Sequence, residues 1–596
     1  MARKKKEDEK RDWSHYQLAI FDFVEHGQGN LVVEAASGAG KTTTLMECIR
    51  RIDRDNRILL TAFNRDIVGV LKRKTKDMPN IEVSTLHALG YKMLQRNFPD
   101  IKIEIDDFKY ASYINTNIGR LSRISLPKRM MSRYVANIKK FVDFGRLYLC
   151  QTVKDLSFIE ERYGIETIDD EKEVSLDVMA WGKKHIETID YIDMIYLPNM
   201  LYCKPIGMQY DWVCADEAQD TSIAQREILL KCCKMNTRML FFGDGNQTIY
   251  SFAGSDPEAF RTLKEMPNTT SLPLSISYRC AKNIVGIAKT IVPTIEENND
   301  GREGEVLNDA SLDDVKDGDM ILCRNNAPLM QIYIDFIRMG KKCFIRGKDI
   351  GNNLKRMVRG TMQDMLNVNL DKDGVFVRLY DEYFSIVNGI MDKYGISYSE
   401  AIGSTLAANR ADSINALEVL SEGLTTADEL IKRIDEIFSD RKKIDGISLS
   451  TIHKAKGLEA DNVYIACKSL MPSSLAVKDW EKQQELNLIY VAYTRAKNKL
   501  GFLDEKEFNS FMKNKSESEK AMRLIEKKVN MALGKERVFS GDVNPYFNSE
   551  IVKHGITRIK DNADNKVEKF LESYSFKPLT IGYSNIAKNR IRKIKR

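Results

Sequence analysis

Short apolar runs punctuate this chain and fall into two zones. The first zone holds "NLVVEAA", "RILLTAF", "YDWVCADE", "RMLFFGD" and "SLPLSISY"; the second holds "DMILCR", "KKCFIRG", "ISLSTIH", "DNVYIAC" and "NKLGFL". Each run is β-rich and alternates with helical patterning, which predicts parallel sheets covered by helices. Two long stretches of mostly helical periodicity interrupt the zones, from about Tyr91 to Leu201 and from about Asn352 to Asp445. The predicted fold class is therefore α/β, with two parallel-sheet cores that each carry a mainly helical insertion. The boundaries that follow are core 1 over 1–90 and 202–276, insertion 1 over 91–201, core 2 over 277–351 and 446–510, and a short insertion 2 over 352–445. A C-terminal extension, 511–596, turns polar and ends in the basic tail "NRIRKIKR", readable as a solvated terminus or as a contact for nucleic acid or a protein partner. No short-period repeat or low-complexity tract appears.

Size and composition narrow the class. At 596 residues the chain is too long for a single core and suggests three to five domains. Hydrophobic residues at 43% and charged residues at 30% fit a soluble globular protein. No apolar run approaches the roughly 20 residues needed to span a bilayer, so no membrane partner is expected. The start, "MARKKKEDEKRDW", lacks the apolar stretch of a secretory signal. Ten scattered cysteines without a CxxC pair give no zinc or iron–sulfur spacing and suggest structural thiols in a reduced, cytoplasmic compartment. The net charge of +7 is modest and suits a nucleic-acid groove rather than a wholly basic coat, although it equally suits an ordinary soluble protein.

The stretch with the clearest chemistry is "LVVEAASGAGKTTTLMECIRRI", an apolar strand that runs through small residues into a helix. It matches the phosphate-binding G-x-x-x-x-G-K-[ST] pattern with Ala35 in the first position and Gly40, Lys41 and Thr42 completing it. Backbone N–H groups of Ser37, Gly38, Ala39, Gly40 and Lys41 would face a β-phosphate at the helix N-terminus, with Thr43 next in the first turn. Lys41 would reach the β- and γ-phosphates, and the Thr42 hydroxyl would ligate Mg2+. A kinase, a switch, a transporter and a nucleic-acid motor can all begin this way. "YDWVCADEAQDTS" supplies the second half of the site: Asp216 ends an apolar strand, where its carboxylate can meet the metal, and Glu217 can orient and deprotonate water. A kinase brings its nucleophile with the substrate and does not need that second acid, so hydrolysis of a nucleoside triphosphate is favoured over phosphoryl transfer to a substrate.

With "DEAQD" the chain resembles superfamily 1 DNA helicases of the UvrD/Rep/PcrA type, whose motifs stand in order on both sides of it over roughly half the chain. "YQLAIFDF" resembles the Q motif, "LLTAFNRD" motif Ia, "STLHALG" motif Ib, "FFGDGNQTIYSFAGS" motif III and "LSISYRC" motif IV. "ILCRNNAPL" resembles the next block of the second core, "STIHKAKGLEADNVYI" motif V and "ELNLIYVAYTRAKNKL" motif VI, while "DYIDMIYLP" is a weaker match to a block ahead of "DEAQD". The resemblance implies that the two cores are RecA-like. It also implies that Gln17 reads adenine, that Tyr278 stacks on it, and that Glu459 holds the ribose. Arg279 and Arg495 would be arginine fingers, and Gln247 would sense the γ-phosphate. Single-stranded DNA would meet Phe63 and Asn64, Thr85 and His87, Phe252, Arg324 and Asn326, and Thr451 and His453. Stacking and phosphate contacts of this kind grip DNA without reading its sequence. The bland alternative for Phe63 and Phe252 is a place in the core.

Three features depart from the family pattern. Motif III reads "YSFAG" where Trp-Arg usually follows Tyr-Ser, so Ala253 removes a cationic contact. Insertion 2 is short for the family, and the tail carries no nuclease-like acidic-lysine cluster. The expected activity is an ATP- and Mg2+-dependent translocase and helicase, 3′→5′ by resemblance, acting as a monomer on single-stranded and tailed or forked duplex DNA in replication, repair or recombination. Two rivals stand beside it. One is a DNA-stimulated ATPase that strips proteins from DNA; the other is a subunit active only within a larger recombination, phage-replication or defence complex. An RNA motor is a weaker third.

Overall fold

The structure, a computed structural model, describes residues 12–62, 65–124, 128–165, 167, 170–362, 368–370, 374–394, 401, 405–438, 446–474 and 476–503. Phe63, Asn64 and the extension 511–596 lie outside the described residues. The chain divides into two compact units: residues up to Arg279 with Ala288–Gly301, and Cys280–Ile287 with the residues from Arg302 onward.

In the first unit, β1 (Asn30–Ala35), β2 (Ile58–Thr61) and β3 (Ile81–Ser84) precede the two-residue strands β4 (Glu104–Ile105) and β5 (Thr188–Ile189), which pair with each other. They are followed by β6 (Tyr210–Ala215), β7 (Cys233–Gly243) and β8 (Thr269–Leu274), and by the small pair β9 (Ile276–Ser277) and β10 (Glu296–Glu297). The main sheet has the order β3-β2-β6-β7-β1-β8 and is parallel throughout. Successive side chains of a strand point to opposite faces, and here both faces are covered. Leu31, Val33, Leu60, Cys214, Leu240 and Phe242 pack on one side with α1 (His15–His26), α2 (Lys41–Arg51) and α3 (Arg65–Lys74). Val32, Leu59, Val213 and Phe241 pack on the other with α4 (Leu86–Asn97). The strand β3 is an addition to the sequence expectation: "IEVS" is an edge strand with one buried side chain, so its apolar signal is weak.

Between β3 and β6 come α5 (Lys109–Leu121), α6 (Lys128–Leu147), α7 (Val153–Tyr163), α8 (Glu171–Lys184) and α9 (Asp193–Met200). Helices α5, α6, α8 and α9 share the second of those two hydrophobic clusters through Tyr110, Ile138, Val178 and Ile195, while α7 packs Leu156 and Ile159 against Phe141 of α6 in a smaller one. Helices α4 and α9 approach so closely that a Cβ on Gly90 would run into the carbonyl oxygen of Met194. The segment "DYIDMIYLP" is where these helices are tied together electrostatically. Asp193 is fully buried and accepts from Lys109 Nζ at 2.8 Å, the Tyr110 hydroxyl at 2.7 Å and Arg146 at 3.1 Å. Arg146, also fully buried, reaches Asp190 at 2.7 Å and lies 3.8 Å from the Tyr110 ring centre. Two buried cations face two buried carboxylates, and Arg146 also reaches the half-exposed Asp143 at 2.8 Å, which makes the burial of four charges tolerable.

The second unit repeats the architecture with β11 (Glu305–Ala310), β12 (Met320–Cys323), β13 (Cys343–Ile345), β14 (Ile447–Thr451), β15 (Ala460–Ile465) and β16 (Ala496–Leu503) in the parallel order β11-β16-β15-β12-β14-β13. Strand β11, "EVLNDA", is another addition, again a polar edge strand. Helices Lys348–Met362, Val375–Tyr394, Thr405–Leu420 and Ala427–Ile437 lie between β13 and β14. Their Leu354, Leu379, Tyr383, Leu417 and Leu430 join Ile321, Cys323, Ile447 and Leu449 of the sheet in one hydrophobic cluster. Among the described residues no helix is long and apolar enough to cross a membrane, and no disulfide joins the cysteines.

Asp193→Ala should destabilise the first unit by about 3–5 kcal/mol, because Lys109 would keep its buried charge without a carboxylate partner and Arg146 would lose one of its three. Urea unfolding followed by circular dichroism checks this. A loss below about 1 kcal/mol, the scale of an exposed pair, would mean that the network does not hold the helices.

Candidate functional site

At the carboxyl end of β1 the chain turns through Ala36 and Ser37 with Gly38 at φ +75° and Gly40 at φ +80°, left-handed conformations that suit glycine. Gly38 has a second constraint: a Cβ there would sit 2.5 Å from Cβ of Arg279 and 2.8 Å from the Ser277 hydroxyl. The Tyr278 N–H donates to the Gly38 carbonyl at 3.0 Å, and Arg279 reaches the buried Ser37 hydroxyl at 3.4 Å. Arg279 and Tyr278 therefore stand directly beside the loop, with the Tyr278 ring 43% exposed. Gln17 is buried behind it. Its Oε1 accepts the Ser14 N–H in the capping box of α1, and its Nε2 donates to Thr44 at 3.0 Å. Both ends of that amide are thus occupied by the protein. Thr43 follows in the half-buried first turn of α2.

Lys41 points from the start of α2 toward three carboxylates. Its Nζ lies 3.4 Å from Glu217. Burial disfavours its charge, but Glu217, Asp244 and Asp216 together outweigh that cost and raise its pKa. The Thr42 hydroxyl donates to Asp216 at 2.9 Å. Burial and the adjacent Glu217 push Asp216 up to about 6, against the pull of Lys41 and Thr42. Asp244 is raised by burial as well, with Lys41 and Gln247 opposing.

Glu217 sits at φ +56°, a strained setting for a residue with a side chain, and this conformation turns the chain sharply after β6. Gln219 fastens it there by donating to Glu217 at 2.6 Å while its carbonyl accepts the Asp244 N–H at 3.1 Å. Asp244 in turn accepts from Gln247 Nε2 at 2.8 Å. One continuous chain of bonds thus runs from Lys41 through Glu217, Gln219 and Asp244 to Gln247. Sequence reasoning passed over Asp244, Gln219 and Thr44. The signal for Asp244 was present, since it ends the apolar run "RMLFFGD" just as Asp216 ends "YDWVCAD".

Candidate nucleic-acid residues of this unit lie past the carboxyl ends of β3 and β7. Thr85 caps α4 by accepting the Ala88 N–H at 3.2 Å. His87 follows and lines a cleft with Thr61, Leu86, Glu217 and Thr221. Phe252 rides on the short turn Ser251–Ala253 after β7 and is 51% exposed, so it is not a core residue. The Tyr163 hydroxyl of α7 donates to the Ser251 carbonyl at 3.0 Å and holds that turn.

The second unit divides its candidates between two edges of its sheet. Arg324 follows β12 and Thr451 ends β14, both at carboxyl ends, with His453 and Asn326 nearby in sequence. Glu459 and Arg495 instead precede β15 and β16, at the amino ends of parallel strands, so the structure does not bring them together with Arg324 and Thr451. Arg495 is 2% exposed and donates to the carbonyls of Val491 at 3.0 Å and Leu458 at 3.1 Å. Glu459 pairs with Lys497 at 2.8 Å. Arg324 forks onto Glu485, and Asn326 donates inward to Asp412 at 3.3 Å, so both are engaged by their own chain. Thr451 is buried. Burial, with Arg324 and Lys456 nearby, lowers the pKa of His453 to about 3, so this imidazole offers an uncharged ring at neutral pH.

A phosphate-type loop on one all-parallel sheet, followed by a second all-parallel sheet, defines the P-loop class of nucleotide-binding α/β proteins. Within it, two family models match: the UvrD/REP helicase N-terminal domain over residues 19–268 and the UvrD-like helicase C-terminal domain over residues 405–506. The chain belongs to the UvrD/Rep/PcrA-type helicase family. It is 25% identical over 504 residues to F-box DNA helicase protein 1 of Schizosaccharomyces pombe, covering 79% of this chain and 55% of that protein. ATP-dependent DNA helicase PcrA of Bacillus subtilis is 22% identical over 605 residues, covering 80% and 81%. ATP-dependent DNA helicase Rep of Buchnera aphidicola is 24% identical over 308 residues, covering 45% and 44%. The chain thus spans about half the length of the F-box and Rep relatives and most of the Bacillus subtilis PcrA.

The low pKa of His453 carries a stability signature. The unfolded imidazole takes up a proton near pH 6.5 and the folded one only near 3, so the fold is favoured fully above 6.5 and loses stability as pH falls below it. Between pH 7 and pH 5 the expected loss from this residue is about 2 kcal/mol. His453→Gln should remove that part of the acid sensitivity in urea unfolding. An unchanged dependence would mean that His453 is charged in the folded state.

Proposed function

We propose that the chain is an ATP-dependent DNA helicase, an ATP hydrolase that moves 3′→5′ along single-stranded DNA and separates tailed or forked duplexes. The observation that carries the hydrolytic part is the 3.4 Å approach of Lys41 to Glu217 beside the Thr42–Asp216 pair. It supports a site with a cation for the β- and γ-phosphates and a carboxylate for water, fastened by Gln219. In this reading, the loop N–H groups of Ser37 to Lys41 receive the phosphates at the N-terminus of α2. Glu217 takes the proton of the attacking water. Gln247 leaves Asp244 to meet the γ-phosphate. Arg279 and Arg495 supply positive charge as the phosphoryl group transfers, each worth about 10³–10⁵ in rate by analogy with known fingers. Tyr278 and Gln17 serve the base, and Glu459 the ribose.

Thr42 and Asp216 offer the hard oxygen donors that Mg2+ prefers, and they are the residues proposed to hold it. When bound, the ion neutralises charge on the phosphates. The DNA grip is assigned to Thr85, His87, Phe252, Arg324, Thr451 and His453, with Phe63 and Asn64 outside the described residues. The exposed ring of Phe252 supports a stacking role of about 1–3 kcal/mol per base. The pathway reading is replication, repair or recombination.

Lys41→Ala should reduce ATP turnover to background with an unchanged circular dichroism spectrum; retained turnover would remove the phosphate role of Lys41. The decisive assay is strand displacement on duplexes carrying a 3′ or a 5′ single-stranded tail, with ATP and Mg2+. Displacement of the 3′-tailed duplex alone is expected. DNA-stimulated hydrolysis without displacement of either would favour a protein-stripping or partner-dependent ATPase instead.

A further inference from the structure

The turn that carries Arg324 leaves β12 and enters the helix Asn326–Arg338. Asn325 stands at the cap of that helix but makes no side-chain capping bond, so the first N–H groups need another acceptor. They find one far along the chain, in Asp412 on the inserted helix Thr405–Leu420. One carboxylate oxygen accepts the Asn326 N–H at 3.1 Å and its side-chain Nδ2 at 3.3 Å; the other accepts the Ala327 N–H at 3.2 Å. Asp412 is 7% exposed. Burial raises its pKa, against the pull of the Ala327 and Asn326 donors and of Arg324 nearby.

The other flank of the turn is fixed as well. Arg324 Nε lies 3.1 and 3.2 Å from the two oxygens of Glu485, and a terminal nitrogen lies 2.8 Å from one of them. Glu485, itself 4% exposed, also accepts the Ser473 N–H at 3.0 Å. Asn326 Oδ1 is buried and has no hydrogen-bond partner. The Asn326 amide therefore acts as an inward strut to Asp412, and Arg324 is the partly exposed cation of the turn.

We infer that Asp412 is a positioning residue for DNA binding: through this carboxylate the inserted helices set the turn that presents Arg324. The inference rests on the reading of Arg324 as a DNA contact. It also changes what the short insertion does, from a module beside the motor to a brace under its grip. An N–H donor to a buried carboxylate is worth enough that its loss should shift affinity by about tenfold.

The test uses the full chain, a fluorescein-labelled single-stranded oligonucleotide of mixed sequence, and three variants: Asp412→Ala, Asp412→Asn and Arg324→Ala. Asp412→Ala should raise Kd about tenfold, and the DNA concentration for half-maximal stimulation of ATP turnover should rise by the same factor. Turnover without DNA should stay unchanged. Asp412→Asn keeps the packing and one acceptor, so a smaller shift in the same direction is expected, and it decides the matter if the alanine variant does not fold. A purely structural role would lower the binding-competent fraction while leaving Kd at the wild-type value, and that result overturns the inference. If Arg324→Ala weakens binding while both Asp412 variants bind as wild type, the inference alone fails. If Arg324→Ala also binds as wild type, the turn is off the DNA path and the inference falls with that reading.

Discussion

A parallel sheet has two chemically different edges, and this molecule is organised by that difference. Every strand of the first sheet runs the same way, so the loops that leave their carboxyl ends gather along one edge. Lys41 follows β1, Thr85 follows β3, Asp216 follows β6, Gln247 and Phe252 follow β7, and Tyr278 comes after β8 and the short β9. No long side chain has to span the sheet. The second unit uses both edges, with Arg324 and Thr451 on one and Glu459 and Arg495 on the other. A parallel sheet with covered faces lets two separate tasks occupy one rigid body without sharing a surface.

Neutralising charge away from water is the second organising demand. Lys41 stays charged in a buried loop because Glu217, Asp244 and Asp216 surround it. The same device recurs where no chemistry is expected, in the pairing of Lys109 and Arg146 with Asp190 and Asp193. The two groups differ in what can compete. Around Lys41 the partners lie on loops beside a helix N-terminus, a setting where an anion can enter. Around Arg146 the partners lie among packed helices and stay in place.

Much of this was legible in local sequence, and the rest was hidden for identifiable reasons. Apolar strands announced themselves, whereas β3 and β11 are polar edge strands that present little hydrophobic pattern. The residues Ser37 to Thr42, and the pair Asp216–Glu217, are readable because each group is contiguous and has a fixed relation to a strand end. Gln219 escaped because its role is to join Glu217 to Asp244, and neither bond leaves a trace in spacing. Arg324 could be proposed as a cation for DNA, but its fork onto Glu485 spans 161 positions of sequence and required the fold. The inward turn of Asn326 is of the same kind. Contacts between distant segments depend on topology, and a motif records only its own end of them.

The hydrophobic cluster of the second unit does not stop where the sheet does. Leu379, Leu417 and Leu430 of the inserted helices touch the same apolar mass as Ile321 and Leu449 of the strands. In folding terms the insertion is not an appendage with its own melting point but part of one cooperative unit. Trimming it away would expose part of the apolar cluster that it shares with the sheet, so the insertion and the sheet must be inherited, exchanged or lost together.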